Sequence, residues 1–319
     1  MRESRIDEAA RDARRIVEAV AGVVRGKEAQ AELAVTALLA GGHLLIEDTP
    51  GVGKTTLARA LAHSLGMPFR RVQFTSDMMP ADLLGGNIFD PSTASFHFRP
   101  GPIFTSLLLA DEINRTTPKT QSALLEAMEE GQVSLDGETR PLPSDFFVVA
   151  TQNPLDFEGT YPLPESQLDR FSLRIELGPP PVEIERELLL GRGADDPLAG
   201  VQAVISGERL AAAKEAAHQV RVEPPVLDYL HSIVIATREA KTLHHGASTR
   251  AALIYMRAIR ARALVFGRDY ALPDDVKALA LPVLSHRLRL RNAPIGTNHQ
   301  REEVDRALRA LLEALPIPR

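Results

Sequence analysis

The chain of 319 residues contains no cysteine and no tryptophan. The first absence excludes disulfides, thiol nucleophiles and cysteine-ligated zinc, and it reads as a reducing, cytoplasmic setting. Aromatic residues supply only 5% of the chain, yet 44% is hydrophobic and 25% charged, a balance that belongs to a folded globular protein and not to disorder. No stretch approaches the roughly 18 consecutive apolar residues of a membrane-spanning helix. The opening MRESRIDEAARDARR mixes acids with its basic residues and has no apolar centre, so it does not read as a secretory leader. A basic excess is missing too. The formal net charge of -5 removes the global positive field of a protein that coats nucleic acid, leaving only a local basic groove open.

What is present is a rhythm of short apolar runs and helical periods. Residues 4–21 and 28–40 have helical spacing and are separated by the break VVRGKE. After Gly41 and Gly42, HLLIE predicts a strand that runs into a glycine loop and then into the helical TTLARALAHSLG. FRRVQF, SLLLADE, DFFVVATQN and SLRIEL predict four more strands, and PKTQSALLEAMEEG a helix closed by Gly131. Short apolar strands alternating with helices predict an α/β domain whose five-stranded, mostly parallel sheet is covered on both faces. Residues 84–103 and the segment QVSLDGETRPL, with Asp136 and Gly137 at its turn, predict two inserted hairpins. The run GPPP, Gly178 to Pro181, predicts a stiff hinge. Beyond it come a loop at GADDPLAG and helical patterns to the end, so the division expected is an α/β domain over 1–179 and a smaller all-helical one over 180–319.

The chemistry concentrates at the strand ends. EDTPGVGKTTLA carries the end of the phosphate-loop pattern G-x-x-x-x-G-K-[ST], but Asp48 stands where the first glycine belongs. Gly51 and Gly53 let backbone N–H groups turn inward, the following helix adds its positive end, Lys54 supplies a point charge, and the Thr55 hydroxyl suits magnesium. An ordinary glycine turn before a helix is the bland alternative. Some sixty residues on, SLLLADE places Asp111 and Glu112 at a strand tip, where one carboxylate can hold the magnesium water shell and the other can deprotonate an attacking water. Asn153, in TQNP, lies at the end of the next strand and can orient that water; a turn-forming role before Pro154 is its alternative. His244 and His245 lack partners at metal-ligand spacing and read as surface. RAIRARAL, HRLRLR and the charges of residues 2–18 read as solvated helix faces, a nucleic-acid stripe being the less favoured option for the two basic runs.

The motifs EDTPGVGKTTLA, LLLADEINRT, ALLEAMEEGQV, VVATQNP, GTYPLPESQLDRF and GASTRA, taken together, resemble those of AAA+ ATPases, and more narrowly the MoxR family. The resemblance spans most of residues 20–290, and an acid ahead of a PGxGKT core is common in that family. It implies a P-loop AAA+ core followed by a helical lid, with ATP held by Pro50, Gly51, Val52, Gly53, Lys54, Thr55 and Thr56. Val24 and Gly26 match the adenine-contact region, Thr55 and Asp111 the Mg2+ ligands, and Glu112 and Asn153 the groups that handle water. Arg170, in LDRF, matches the arginine finger that reaches the ATP of an adjacent subunit; on residues alone, an ion pair with Asp169 or Glu165 is its alternative. Arg250 matches the sensor 2 position, in its own site or a neighbour's, and Arg115 could sense the interface. The family implies a homo-oligomeric ring, a hexamer, that remodels, matures or activates a protein client, beside a partner with a von Willebrand factor A domain. In such proteins the hairpins face client or channel, which singles out Phe96, Phe98 and Asp136; merely packed hairpins are the alternative. A nucleic-acid-dependent motor and a nucleotide-gated scaffold with little turnover are the other classes open.

Overall fold

A computed structural model describes residues 2–153, 159–190, 197, 198, 200–291 and 298–318. Pro154 and most of the GADDPLAG loop lie outside the described residues. The strands in chain order are β1 His43–Glu47, β2 Phe69–Gln73, β3 Gly85–Asp90, β4 Ser95–Pro100, β5 Leu107–Asp111, β6 Gln132–Leu135, β7 Glu138–Pro141, β8 Phe147–Gln152, β9 Phe171–Ile175, β10 Leu243–His245 and β11 Arg289–Leu290. The helices are α1 Arg2–Val23, α2 Glu28–Leu39, α3 Lys54–Leu65, α4 Pro80–Leu84, α5 Pro118–Glu130, α6 Glu165–Leu168, α7 Val182–Leu189, α8 Gly207–His218, α9 Pro224–Glu239, α10 Thr249–Val265, α11 Pro273–Leu284 and α12 Asn298–Ala314.

Five strands form one sheet in the order β2-β5-β8-β1-β9, and every pairing in it is parallel. All residues of β5, β8 and β9 are buried, as befits apolar strands covered on both faces. β2 is an edge strand, and exposed Arg70 and Arg71 blunt it against pairing with another chain. Alternate residues serve opposite faces. Leu44, Ile46, Leu107, Leu109, Val149 and Leu173 join a core with α1, α2 and α3, whereas Leu45, Leu108, Ala110, Val148 and Ala150 join one with α4 and α5.

Both insertions are antiparallel hairpins, β3 with β4 and β6 with β7. Asn87 Nδ2 donates to Asp136 Oδ2 at 2.7 Å, and the Arg140 guanidinium lies 3.8 Å from the centroid of Phe98, so the two hairpins brace each other. The base of the first pinches two backbones together. A side chain at Gly85, whose φ is +88°, would meet the Arg99 carbonyl at 2.2 Å.

The region beyond the hinge is helical, but it departs from the all-helix expectation at an isolated bridge between Arg221 and Tyr270 and in the short antiparallel β10-β11 ladder, in which Leu243 pairs with Leu290. Leu243 is buried there, and Arg291 Nε donates to its carbonyl at 2.8 Å, which fixes the ladder. A second departure concerns charge. HRLRLR is not a solvated face: Arg287 is buried, with its guanidinium on Asp169 Oδ1 at 2.7 Å and on the Phe171 and Ser172 carbonyls, and His286 is buried beside it. Nor is α1 merely solvated. Ile6, Ala13, Ile16 and Val20 are buried, and buried Asp12 accepts from Arg209 of α8 at 2.7 and 2.8 Å. Through α1 and α2, one core runs from the sheet into α8, α9, α10 and α11. Among the described residues, no helix is long and apolar enough to cross a membrane.

Candidate active site

The carboxyl ends of β1, β8 and β5 lie side by side, and each delivers a predicted group. From β1 the chain enters the loop Asp48–Gly53. Gly51 and Gly53 take φ of +86° and +97°, left-handed values that only glycine adopts without strain, and Gly53 caps the start of α3. Lys54, buried in the first turn, donates through Nζ to the Asp48 carbonyl at 2.5 Å and to the Gln152 carbonyl at 3.4 Å. Thr55 and Thr56 follow half-buried on the same turn. Inward-turned amides, a helix N-terminus and an ammonium compose a cradle for phosphates.

Asp48 does not point into that cradle. Its Oδ1 accepts from the Thr49 amide at 2.7 Å, and its Oδ2 accepts from the amides of Leu177 and Gly178 at 2.8 and 2.7 Å. The missing first glycine therefore adds no charge to the phosphate side of the loop.

Asp111 ends β5. Its Oδ2 accepts from Arg71 of β2 through Nε at 3.0 Å and Nη2 at 2.7 Å, and its Oδ1 accepts from the Thr151 hydroxyl at 2.6 Å. The same hydroxyl accepts from the Glu112 amide at 2.8 Å, so Thr151 sets the positions of both acids. Glu112 Oε2 accepts from Gln73 Nε2 at 2.8 Å and from Arg115 Nη1 at 2.9 Å. Asn153 is buried at the end of β8. In the sheet this strand lies between β5 and β1, so Asn153 stands between the acids and the phosphate loop, not beyond them as chain order suggests. Arg115 is exposed, and its guanidinium pairs with Glu112.

The two predicted arginines lie at the other end of the sheet. Arg170 immediately precedes β9, and Arg250 opens α10 behind Ser248, whose hydroxyl accepts from the Ala251 amide at 3.0 Å. Both grip Glu129 of α5: Arg170 Nε at 2.8 Å on Oε2 and Arg250 Nη1 at 2.5 Å on Oε1. The hydrogen bond from Arg250, opposed by partial burial and aided by the charge of Arg170, holds the Glu129 carboxyl below its ordinary value. The three line a cavity of about 330 Å³ with Gly41, Gly42 and His43, the residues that begin β1. The ion pair weighed for Arg170 thus goes to neither Asp169 nor Glu165. Asp169 is taken by Arg287, and Glu165 lies 3.6 Å from Arg289.

Val24 is buried, and Gly26, with φ of +73°, comes so close to Pro181 that an added side chain would meet it at 2.6 Å. His244 and His245 are exposed, and no group of three or more carboxylate or imidazole ligands able to hold a metal occurs among the described residues. A divalent ion at the nucleotide loop would depend on Thr55, on Asp111 and on phosphate oxygens. That donor set fits Mg2+, which keeps several waters and uses one or two carboxylates.

The site's composition matches the comparisons with known proteins. The model of the ATPase family associated with various cellular activities (AAA) matches residues 43–173, and that of the AAA lid domain residues 235–307. Chaperone MoxR1 of Mycobacterium tuberculosis is 42% identical over 277 residues, covering 84% of this chain and 73% of its own. The chain belongs to the MoxR family of AAA+ ATPases. An uncharacterized Bacillus subtilis protein, YeaC, is 44% identical over 302 residues, 95% of this chain and 93% of its own. A crystal structure of a candidate ATPase from Cytophaga hutchinsonii superposes with a TM-score of 0.88 at 34% identity, covering 99% of this chain and 98% of that one. In this MoxR-family chain the predicted Lys54, Asp111, Glu112 and Asn153 gather at the carboxyl ends of the sheet, and Arg170 and Arg250 lie paired with Glu129 at the amino ends. Sequence reading missed Arg71, Gln73, Thr151 and Glu129, which hold those groups. Polar residues on an edge strand, within a buried strand or near the end of a helix carry no sequence pattern that marks them as partners of such groups.

Proposed function

We propose that the chain is one subunit of a homo-oligomeric ring, a hexamer, that couples Mg-ATP hydrolysis to remodelling or maturation of a protein client in the cytoplasm. The observation that carries this reading is the separation of Arg170 and Arg250 from Lys54 by the length of β1, about 13 Å for a five-residue strand. In this reading neither arginine serves its own nucleotide. Both are offered to the γ phosphate of an adjacent subunit, where a planar guanidinium suits three oxygens gaining negative charge.

Within one subunit, Lys54 and the loop amides hold the phosphates, Thr55 and Asp111 hold Mg2+, and Glu112 takes the proton of water that Asn153 orients. Mg2+, when bound, supplies charge neutralisation on the phosphate oxygens. Glu112 Oε2 is held by Gln73 and Arg115, which leaves Oε1 to take that proton. Chaperone-like work is inferred from the M. tuberculosis relative, Chaperone MoxR1, and a partner with a von Willebrand factor A domain from the family resemblance. Exposed Phe96, packed at a tilt against Phe89 with 5.2 Å between ring centroids, is the apolar group offered to a client; Phe98 is instead half-buried under Arg140.

The test is complementation. Lys54→Ala and Arg170→Ala chains should each lack turnover, and mixing them should restore a fraction of it, because some intact loops then face intact arginines. No recovery in mixed assemblies would count against the arginines acting across subunits.

A further inference from the structure

We propose that Asp48 and Lys27 are positioning residues of the hydrolytic cycle, joining the phosphate loop to the hinge so that the helical domain follows the state of the loop. The segment that leaves β9, Leu177 to Pro179, has no ladder partner of its own. Its donors go to one carboxylate oxygen: the amides of Leu177 and Gly178 donate to Asp48 Oδ2 at 2.8 and 2.7 Å. Its acceptors go to one ammonium. Lys27 Nζ donates to the carbonyls of Leu177 at 2.6 Å, of Gly178 at 3.1 Å and of Pro179. Two side chains of opposite charge thus satisfy five backbone groups, at the point where Gly178 turns with φ of +66° ahead of three prolines.

Each clamp residue also touches an element that flanks the nucleotide loop or the hinge, without itself facing the phosphates. The Asp48 carbonyl receives Lys54 Nζ, and its Oδ1 holds the Thr49 amide inside the loop. A Lys54 that turns to phosphate alters its bond to the Asp48 carbonyl, and the carboxylate of the same residue carries the change to Leu177 and Gly178. Lys27 sits on the turn of Gly26, which packs on Pro181. A glycine at position 48 would complete the common loop sequence and would still let the backbone receive phosphates, but it would offer the hinge nothing. That asymmetry gives the acid its use.

The inference rests on the reading that the loop binds Mg-ATP, and one experiment separates the two. The absence of cysteine permits clean labelling of the full chain at Lys119→Cys in α5 and Lys277→Cys in α11, both exposed. Energy transfer between dyes there reports domain position, and binding of a fluorescent non-hydrolysed ATP analogue with Mg2+ is titrated in parallel. The parent should bind the analogue and change its transfer efficiency. Asp48→Gly and Lys27→Met should bind it within about threefold of the parent while losing that change. A parent that does not bind would defeat the ATPase reading, and this inference with it. Several outcomes overturn the inference alone: a parent that binds without any change in transfer, variants that keep the full change, or an Asp48→Gly chain that no longer binds. Asp48→Ala, which likewise removes the acceptor of the Leu177 and Gly178 amides, serves the same comparison if the glycine variant does not fold.

Discussion

Glu112 adopts a left-handed backbone conformation, φ +57°, although it is neither glycine nor asparagine. Such strain persists only where the surroundings enforce it, and here the Thr151 hydroxyl holds its amide while Gln73 and Arg115 hold its carboxylate. A residue restrained from three sides is placed for a geometric task. Glu112→Gln keeps the shape and removes the base, so turnover should fall by about 10²–10⁴-fold while nucleotide affinity holds. Phosphate release under saturating ATP, with nucleotide titration alongside, checks this, and unchanged turnover would remove Glu112 from the role. At this scale the sequence was informative where spacing carries the chemistry: Lys54, Asp111 and Glu112 can be named from motif order alone. Arg71, Gln73 and Glu129 could not, since each reaches its partner across the fold from a position that reads as an exposed turn or edge.

Between elements, His43 does work that no motif announces. It opens β1, its Nδ1 accepts from the Val148 amide of β8 at 3.1 Å, and its Nε2–H reaches the Met128 carbonyl at the end of α5 at 3.2 Å. The acceptor role requires a neutral ring. Burial, opposed by the bond to Met128 and aided by Lys214 of α8, lowers its pKa from 6.5 to about 4. Between those values the unfolded chain binds a proton that the folded chain refuses, so stability is complete above about pH 6.5 and declines as pH falls toward 4. The loss should reach about 2 kcal/mol by pH 5 from this residue. Buried His286, shifted the same way by burial and then by Arg287, adds to the slope. Urea midpoints measured from pH 8 to 5 should therefore fall less steeply in His43→Gln than in the parent, and parallel curves would show that the ring does not titrate on unfolding. Elements themselves were the most legible level of the sequence. All five sheet strands and both hairpins fall where alternation and apolar runs place them, because the inner strands are apolar throughout and the insertions alternate about a turn. The β10-β11 ladder escaped, being only a few residues long and held by Arg291 rather than by a hydrophobic repeat.

Over the whole molecule, the expected boundary after residue 179 marks the chain's change of composition, but the packing does not stop there. Glu47, the last residue of β1 and the one before Asp48, is buried between Arg174 of β9 at 3.0 Å and Arg301 of α12 at 2.9 Å, and Asp305 of α12 lies 3.7 Å from Arg174. The carboxyl-terminal helix is thereby fastened to the strand that feeds the phosphate loop. Glu47→Ala should cost about 3 kcal/mol, since it leaves the Arg174 guanidinium buried beside one acid fewer. Adding Arg174→Met should restore part of it, and additive losses in a denaturation cycle would disprove the coupling. Neither acid nor arginine was legible as a core pair, because an isolated charge in a strand reads as its solvated side.

If the arginines act across subunits as proposed, the placement of receiving and giving groups at opposite ends of one sheet also constrains symmetry. Two chains related by a twofold axis present the same patch to each other, and an end that gives would then meet an end that gives. Contacts that join unlike ends run in one direction only. They repeat until the rotation closes, and an assembly that fails to close keeps one unserved loop and one unused pair of arginines at its extremities. Closure, and not merely association, then decides whether every subunit is a complete enzyme.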